Sequence, residues 1–198
     1  MSALFTRLAE RHASGHARND ITLHADTRIP SEADDFRPAA VLAAITERAR
    51  PGVLLIHRPS NMRAHPGQIA LPGGKIDADE TPVDAALREA HEELGIPPDA
   101  VRIVGSSDLY RTGSGFEITP VIGMIPPDLA LDPNPHEVAQ WFEAPLDHVL
   151  DPRNQQRMEV EHEGAIHHTW RIEWHGHEIW GVTAGLLVNL SRRLDWLA

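Results

Sequence analysis

The chain contains no cysteine. Disulfides, thiolate catalysis and cysteine-ligated metals are thereby excluded, and the redox compartment is left open. Basic charge is also short: 18 lysines and arginines stand against 29 aspartates and glutamates, a formal net charge of -11. The phosphate backbone of a nucleic acid rewards a basic stripe, so no nucleic-acid partner is expected. A small anionic substrate is still admissible if local arginines or a bound metal offset the global charge. Long apolar runs are missing too. No stretch reaches the roughly 18 apolar residues of a spanning helix. The first residues, MSALFTRLAERHASG, hold no long apolar signal core, and the last, RRLDWLA, are no peroxisomal-type address. A cytoplasmic protein without a membrane partner is expected. Thirteen histidines are present, but they are scattered. No H-x-x-x-H pair falls on an expected helix, so a histidine metal site is not expected.

With 198 residues, 41% of them apolar and 24% charged, the chain is long enough for one domain with a substantial core. Residues 2–13 predict a short amphipathic helix, and the polar stretch 14–38 a loop or arm. Two apolar runs, 39–45 and 53–56, flank a charged Pro/Gly turn and predict a hairpin. A short strand enters the glycines of GQIALPGG, and a helix follows over 82–94. Further strands are expected at 101–106, 117–125, 137–142, 157–163 and 166–174, with one helical turn in APLDHVLDP. Leu186, Leu187, Leu190 and Leu194 predict a C-terminal helix. Strands on both sides of a central helix argue for an α/β class with a mixed sheet between helices. The expected division is a helix and arm over 1–37 and the main domain over 38–198.

The stretch GGKIDADETPVDAALREAHEELGI, residues 73–96, crowds acids beside a glycine turn. Thr81 is a good N-cap, Pro82 suits the first helical position, and Gly95 suits the end. At 100° per residue, Val83, Ala86, Leu87, Ala90 and Leu94 share the face expected to be buried. Glu89, Glu92 and Glu93 fall within roughly a 100° arc on the other side. Like charges three and four residues apart cost a few tenths of a kcal/mol per pair unless something neutralises them. The face is either simply solvated or it shares a hard divalent cation such as Mg²⁺, which prefers carboxylate oxygens and also takes substrate phosphate.

The flanks decide between these readings. Gly74, Glu80, Arg88, Glu89, Glu92, Glu93, Gly95 and Ile96 follow the pattern G-x5-E-x7-R-E-U-x-E-E-x-G-U without a gap. A chance match is on the order of 10⁻⁹ per start position from average residue frequencies. The pattern resembles the signature of the Nudix hydrolases. Its one soft position is Ala90, smaller than the usual large aliphatic. The resemblance implies a Nudix-type α/β/α sandwich and a pyrophosphohydrolase that uses Mg²⁺ or Mn²⁺. It implies Glu89, Glu92 and Glu93 as metal ligands, with the Gly73 carbonyl as a further one. Arg88 would pair with Glu80 and hold the loop against the helix.

The segment before it, LLIHRPSNMRAHPGQIALPGG (54–74), is similar to the L-L-T-x-R-S-x3-R-x3-G-x3-F-P-G-G signature of coenzyme A pyrophosphatases. Leu54, Leu55, Arg58, Arg63, Gly67, Pro72, Gly73 and Gly74 match, while Ile56, Pro59 and Leu71 depart from it. The resemblance, which extends more loosely over about 38–190, implies hydrolysis of coenzyme A, with Arg58, Arg63, Gly67 and Gly74 on the substrate side. Guanidinium forks suit the extra 3′-phosphate of that molecule. Markers of other Nudix subfamilies are missing: Arg111 and Thr112 stand where an ADP-ribose proline would, and Gly113 and Ser114 where a diadenosine-polyphosphate tyrosine would. Hydrolysis of another nucleoside diphosphate derivative and a non-catalytic nucleotide sensor are the alternative readings. Glu137 is left open between a base or metal-linked carboxylate and a structural residue, and a homodimer is left open as well.

Overall fold

The run RPAAVLAAIT is apolar at nearly every position, as a strand covered on both faces must be. In a computed structural model, which describes residues 2–24, 36–61, 66–162 and 164–198, it is the central strand. Helix α1 (Ala3–His16) precedes strands β1 (Arg37–Thr46), β2 (Gly52–His57), β3 (Ile69–Ala70) and β4 (Gly73–Lys75). Helix α2 (Pro82–Leu94) leads to β5 (Arg102–Ser106), β6 (Tyr110–Arg111), β7 (Phe116–Ile125) and β8 (Gln140–Pro145). The single turn α3 (Leu146–Val149), strands β9 (Gln156–His162), β10 (Ala165–Trp174) and β11 (His177–Trp180), and helix α4 (Val182–Leu194) complete the chain.

The main sheet runs β3-β2-β1-β7-β5, with β4 against β1, β6 against β7 and β8 against β2. β1 and β7 are parallel from Arg37↔Phe116 to Thr46↔Ile125, and β1 and β2 are antiparallel, so the sheet is mixed. A smaller sheet, β11-β10-β9, stands beside it. Successive strand residues point to opposite faces. Ala40, Leu42, Ala44, Leu54 and Ile56 therefore pack with Ala86, Ala90 and Leu94 of α2. Ala43, Ile45, Val53 and Leu55 pack with Leu187 and Leu190 of α4 and Leu8 of α1. Each fully buried leucine or isoleucine contributes roughly 1.5–3 kcal/mol. The product is the α/β/α arrangement with a mixed sheet that the sequence pattern predicts.

Several boundaries differ from expectation. α1 runs to His16 rather than stopping near 13, so His12 and His16 do form an i, i+4 pair on a helix. Their rings lie 4.1 Å apart, yet they do not converge on a common point. His12 Nε2 meets the Ser106 carbonyl at 2.8 Å and His16 Nε2 meets Ser107 Oγ at 3.0 Å. The extra turn forms because Gly15 rests on α4, where Arg193 Nη1 donates to the Gly15 carbonyl at 2.9 Å. A Cβ at Gly15 would collide with the Arg193 carbonyl. β8 starts at 140, not 137. Asn134 is the reason: its carbonyl accepts from Glu137 N and Val138 N, and its side chain from His136 N, which builds a turn in place of the first strand residues. β11 is not foreseen at all. It pairs Trp174↔His177 with β10 across His175 and Gly176, both at positive φ, the geometry of a tight hairpin.

An ion pair ties the end of α4 to the loop after β5. Arg193 Nε and Nη2 each donate to Asp108 at 2.7 Å, with the side chains 11% and 22% exposed. Burial alone would raise the Asp108 carboxyl, but the Arg193 hydrogen bonds outweigh it and hold it below its ordinary value. A depressed carboxyl adds stability above its unfolded value and loses it as pH falls through the folded one. Asp108→Asn is therefore expected to lower stability by about 1–3 kcal/mol at neutral pH. That deficit should shrink as pH falls through the lowered range of the folded carboxyl. Thermal unfolding of both proteins across this range is the measurement; a deficit independent of pH would refute the linkage.

Candidate active site

Helix α2 is built as its sequence prescribes. Thr81 accepts from Asp84 N at 3.2 Å while Asp84 accepts from Thr81 N at 3.2 Å, a reciprocal capping box. Gly95, at φ 69°, ends the helix, where a residue with a Cβ would be strained. Its buried arc departs from expectation. Ala85, Ala86, Ala90, Glu93 and Leu94 are buried, whereas Val83 and Leu87 are only partly so. The arc is turned toward the glutamates because small alanines let that side approach β1 and β4. The three glutamates thus stand in three environments. Glu92 is exposed, Glu89 is half-buried, and Glu93 is 3% exposed.

Glu93 accepts a hydrogen bond from Gly73 N at 3.0 Å. Burial pushes its carboxyl up to about 8; the negative charges of Glu89 and Glu137 add to this, while Gly73 N–H and Arg58 oppose it. Burial also raises Glu89, against the pull of Arg88. Arg88 is the hub. It grips Glu80 with two bonds, Nε to Oε1 at 2.7 Å and Nη2 to Oε2 at 3.0 Å, and Nη2 donates to the Lys75 carbonyl at 3.0 Å. The Arg88 hydrogen bonds, with Asp77 N–H, hold Glu80 down to about 2. Nη1 of the same guanidinium reaches Glu89 at 2.9 Å and Glu92 at 3.2 Å. So Arg88 does more than lock the loop: it draws two further box acids toward one positive point.

Among the described residues, no three acidic or imidazole groups are drawn up around one centre. Glu89 and Glu92 close on Arg88, and Glu93 on Gly73 N–H. The donor set nevertheless fits a hard divalent ion: three carboxylates on adjacent turns, two of them with raised affinity for a proton and hence for positive charge. The glycine before them fits as well. A Cβ at Gly74 would overlap the Glu89 carboxylate, 2.7 Å from Oε2, so only glycine leaves that group its place.

The substrate-side residues divide. Arg58 follows β2; its Nε is buried without a hydrogen-bond partner among the described residues, and its charge reaches Glu93. Gly67 sits at φ 69° with open space around it. Arg63 lies outside the described residues. Arg58 and Gly74 both line a cavity of about 340 Å³ on the α4 side of the sheet. Sequence reasoning missed three kinds of wall: Lys75 beside Gly74, Thr112 and Ser114 on the β6–β7 turn, and the aromatics Phe116 and Trp180. Thr112 and Ser114 stand where the markers of other subfamilies would. Trp180 carries no such signal, because β11 is only four residues long. Glu137 is drawn in only by the fold, its charge acting on both Glu89 and Glu93.

A sequence model described as the NUDIX domain matches residues 36–178. This chain belongs to the Nudix family. It is 43% identical over 160 residues to Nudix hydrolase NudL of Enterobacter sp. (strain 638), across 80% of this chain and 83% of that one. To Nudix hydrolase NudL of Citrobacter koseri it is 39% identical over 169 residues, 84% and 88% of the two chains. The fold is similar to the crystal structure of a Nudix hydrolase from M. smegmatis, RenU. The TM-score is 0.50 with 30% identity, over 57% of this chain and 73% of that one. As a Nudix hydrolase the protein acts on a small-molecule substrate, with divalent metal ions as the family's general cofactor. α1 and α4 lie outside the matched segment. No helix among the described residues is long and apolar enough to cross a membrane.

Proposed function

We propose that this Nudix hydrolase cleaves the diphosphate bond of coenzyme A, and also of acyl-CoA or oxidised CoA, with Mg²⁺ or Mn²⁺. One water is added across P–O–P, its OH to one phosphate and its H to the other. The products are 3′,5′-ADP and the 4′-phosphopantetheine moiety. Glu89, Glu92 and Glu93, with the Gly73 carbonyl, would hold the ion. The ion supplies charge neutralisation at the diphosphate and an activated water. Arg88, fixed by Glu80, positions Glu89 and Glu92. The observation that carries the reading is Arg58. It lies in the segment that resembles the coenzyme A type, its buried Nε lacks a partner among the described residues, and it lines the cavity while its charge acts on the Glu93 carboxyl. An unpartnered buried guanidinium donor beside a metal-type carboxylate suits a diphosphate oxygen. Arg63, five residues on in the sequence, is assigned to the 3′-phosphate.

Incubation of the purified protein with CoA and Mg²⁺, followed by anion-exchange chromatography, tests the substrate. Release of 3′,5′-ADP is expected. Its absence, alongside turnover of an ADP-sugar or dinucleotide, would transfer the enzyme to another Nudix specificity. Arg58→Ala is expected to lower kcat/KM about ten- to a hundredfold, the range of a lost hydrogen bond to a charged group. The loss should be equal for CoA and dephospho-CoA. Arg63→Ala should instead erase the preference between those two. Equal preference in wild type would remove the 3′-phosphate assignment.

A further inference from the structure

The cavity lies on the opposite face of the sheet from α2, yet it is one residue away from the carboxylates. Gly74 forms its wall, and the Glu89 carboxylate packs directly against Gly74 on the other side. Its charge is unlike that of the molecule as a whole. In a chain of net charge -11, no acidic residue lines it, while Arg58 and Lys75 do. Its volume falls within the roughly 300–1,000 Å³ of small-molecule pockets. Beyond the two cations its walls are largely apolar and include two flat surfaces. Phe116 has the Arg37 guanidinium over its ring at 4.0 Å. Trp180 is 37% exposed, and of the large apolar side chains exposed among the described residues it alone borders the cavity. Its place there follows from strand alternation: Ile179 is fully buried in the core and Trp180, next to it on β11, points the other way.

We infer that this cavity is the base pocket of the enzyme, in which the planar base of the substrate's nucleoside stacks on Trp180 while the attached phosphates pass Arg58 and Gly74 to the glutamates. The inference rests on the diphosphatase reading and specifies which end of the substrate lies where. An indole face left open at a cavity mouth gains most from another π-system. A linear chain bearing amides would call for a ladder of donors and acceptors, whereas beyond Arg58 and Lys75 only Gln68, Thr112, Ser114 and Thr183 bring polar side chains to the lining. Thr183 Oγ1, one of them, already donates to the Ile69 carbonyl at 2.9 Å. Thr112 and Ser114 on the β6–β7 turn also line the cavity, with their hydroxyls already bonded to each other at 3.0 Å.

The test uses the two halves of the substrate as separate probes, AMP and 4′-phosphopantetheine, titrated calorimetrically into the full chain with Mg²⁺. Trp180→Ala is expected to weaken AMP about tenfold or more, the scale of a lost base–aromatic stack, and to leave 4′-phosphopantetheine unchanged. Trp180→Phe should restore most AMP affinity. AMP should quench indole fluorescence in wild type and lose that quench in Trp180→Phe. AMP binding unaffected by Trp180→Ala overturns the inference, as does weakening of 4′-phosphopantetheine instead, which would put the other arm in the cavity. These titrations do not depend on CoA turnover. If CoA is not hydrolysed but AMP binding depends on Trp180, the substrate reading fails and the base pocket stands.

Discussion

Glu93→Gln is expected to reduce metal-dependent turnover by at least about a hundredfold, since each 1.36 kcal/mol of lost transition-state stabilisation is tenfold. The substitution changes one atom and keeps the shape. The glutamine carbonyl can still accept from Gly73 N–H, the bond that Glu93 makes at 3.0 Å. What disappears is the negative charge offered to the cation. Burying a carboxylate 3% exposed beside Glu89 and Glu137 is costly to the fold. Without added metal, Glu93→Gln should therefore melt at or above the temperature of wild type. Addition of Mg²⁺ should raise the melting temperature of wild type more than that of the variant, because binding to the native state stabilises by mass action. Unchanged turnover in the variant would refute the role; a lower melting temperature without metal would mean that the residue is mainly structural.

Gly73→Ala and Gly74→Ala should behave very differently although the residues are neighbours. A Cβ at Gly73 would overlap the Ala40 carbonyl and lie 2.6 Å from Val41 Cα. Both obstacles are backbone of β1, the central strand, and cannot step aside. Overpacking of this kind costs about 1–3 kcal/mol or more. For a chain of this size that is roughly 2–4 °C in melting temperature per kcal/mol. β4 would be pushed from β1, and Glu93 would lose its Gly73 N–H, so turnover should collapse along with stability. The three atoms nearest a Cβ at Gly74 all belong to the Glu89 carboxylate, the far end of a flexible side chain. Gly74→Ala should keep its melting temperature and lose turnover as Glu89 is displaced. Circular dichroism melts and initial rates of both variants decide this; a Gly74→Ala protein with full activity would separate Glu89 from the chemistry.

Local signals were the readable ones. The cap at Thr81, the stop at Gly95 and the spacing of Glu89, Glu92 and Glu93 are properties of a few adjacent residues, and α2 runs Pro82–Leu94 as they indicate. β1 and α4 are equally plain, because a continuous apolar run and a leucine stripe near period 3.6 survive without context. Helical angles could not say how deep each glutamate lies. That depends on the size of what packs across from it, and Ala85, Ala86 and Ala90 let α2 sink until Glu93 is enclosed. The start of β8 and the end of α1 moved because Asn134 and Gly15 found partners that a one-dimensional reading does not contain. β11 escaped because four residues carry too little periodicity to be seen.

The sequence by itself determined the family and its reaction class, through eight box residues whose spacing is set by one helix and the turn before it. Only the tertiary structure decided that Glu93 is buried against Gly73 and that Arg58 both lines a cavity and acts on Glu93. It alone brought Trp180, more than a hundred residues from Arg58, to the same opening. The physical reason is range. Caps and carboxylate spacing act over one turn of helix, while a binding pocket is made by surfaces from β2, β4, β7, β11 and α4 that meet only when the sheet has closed around its core.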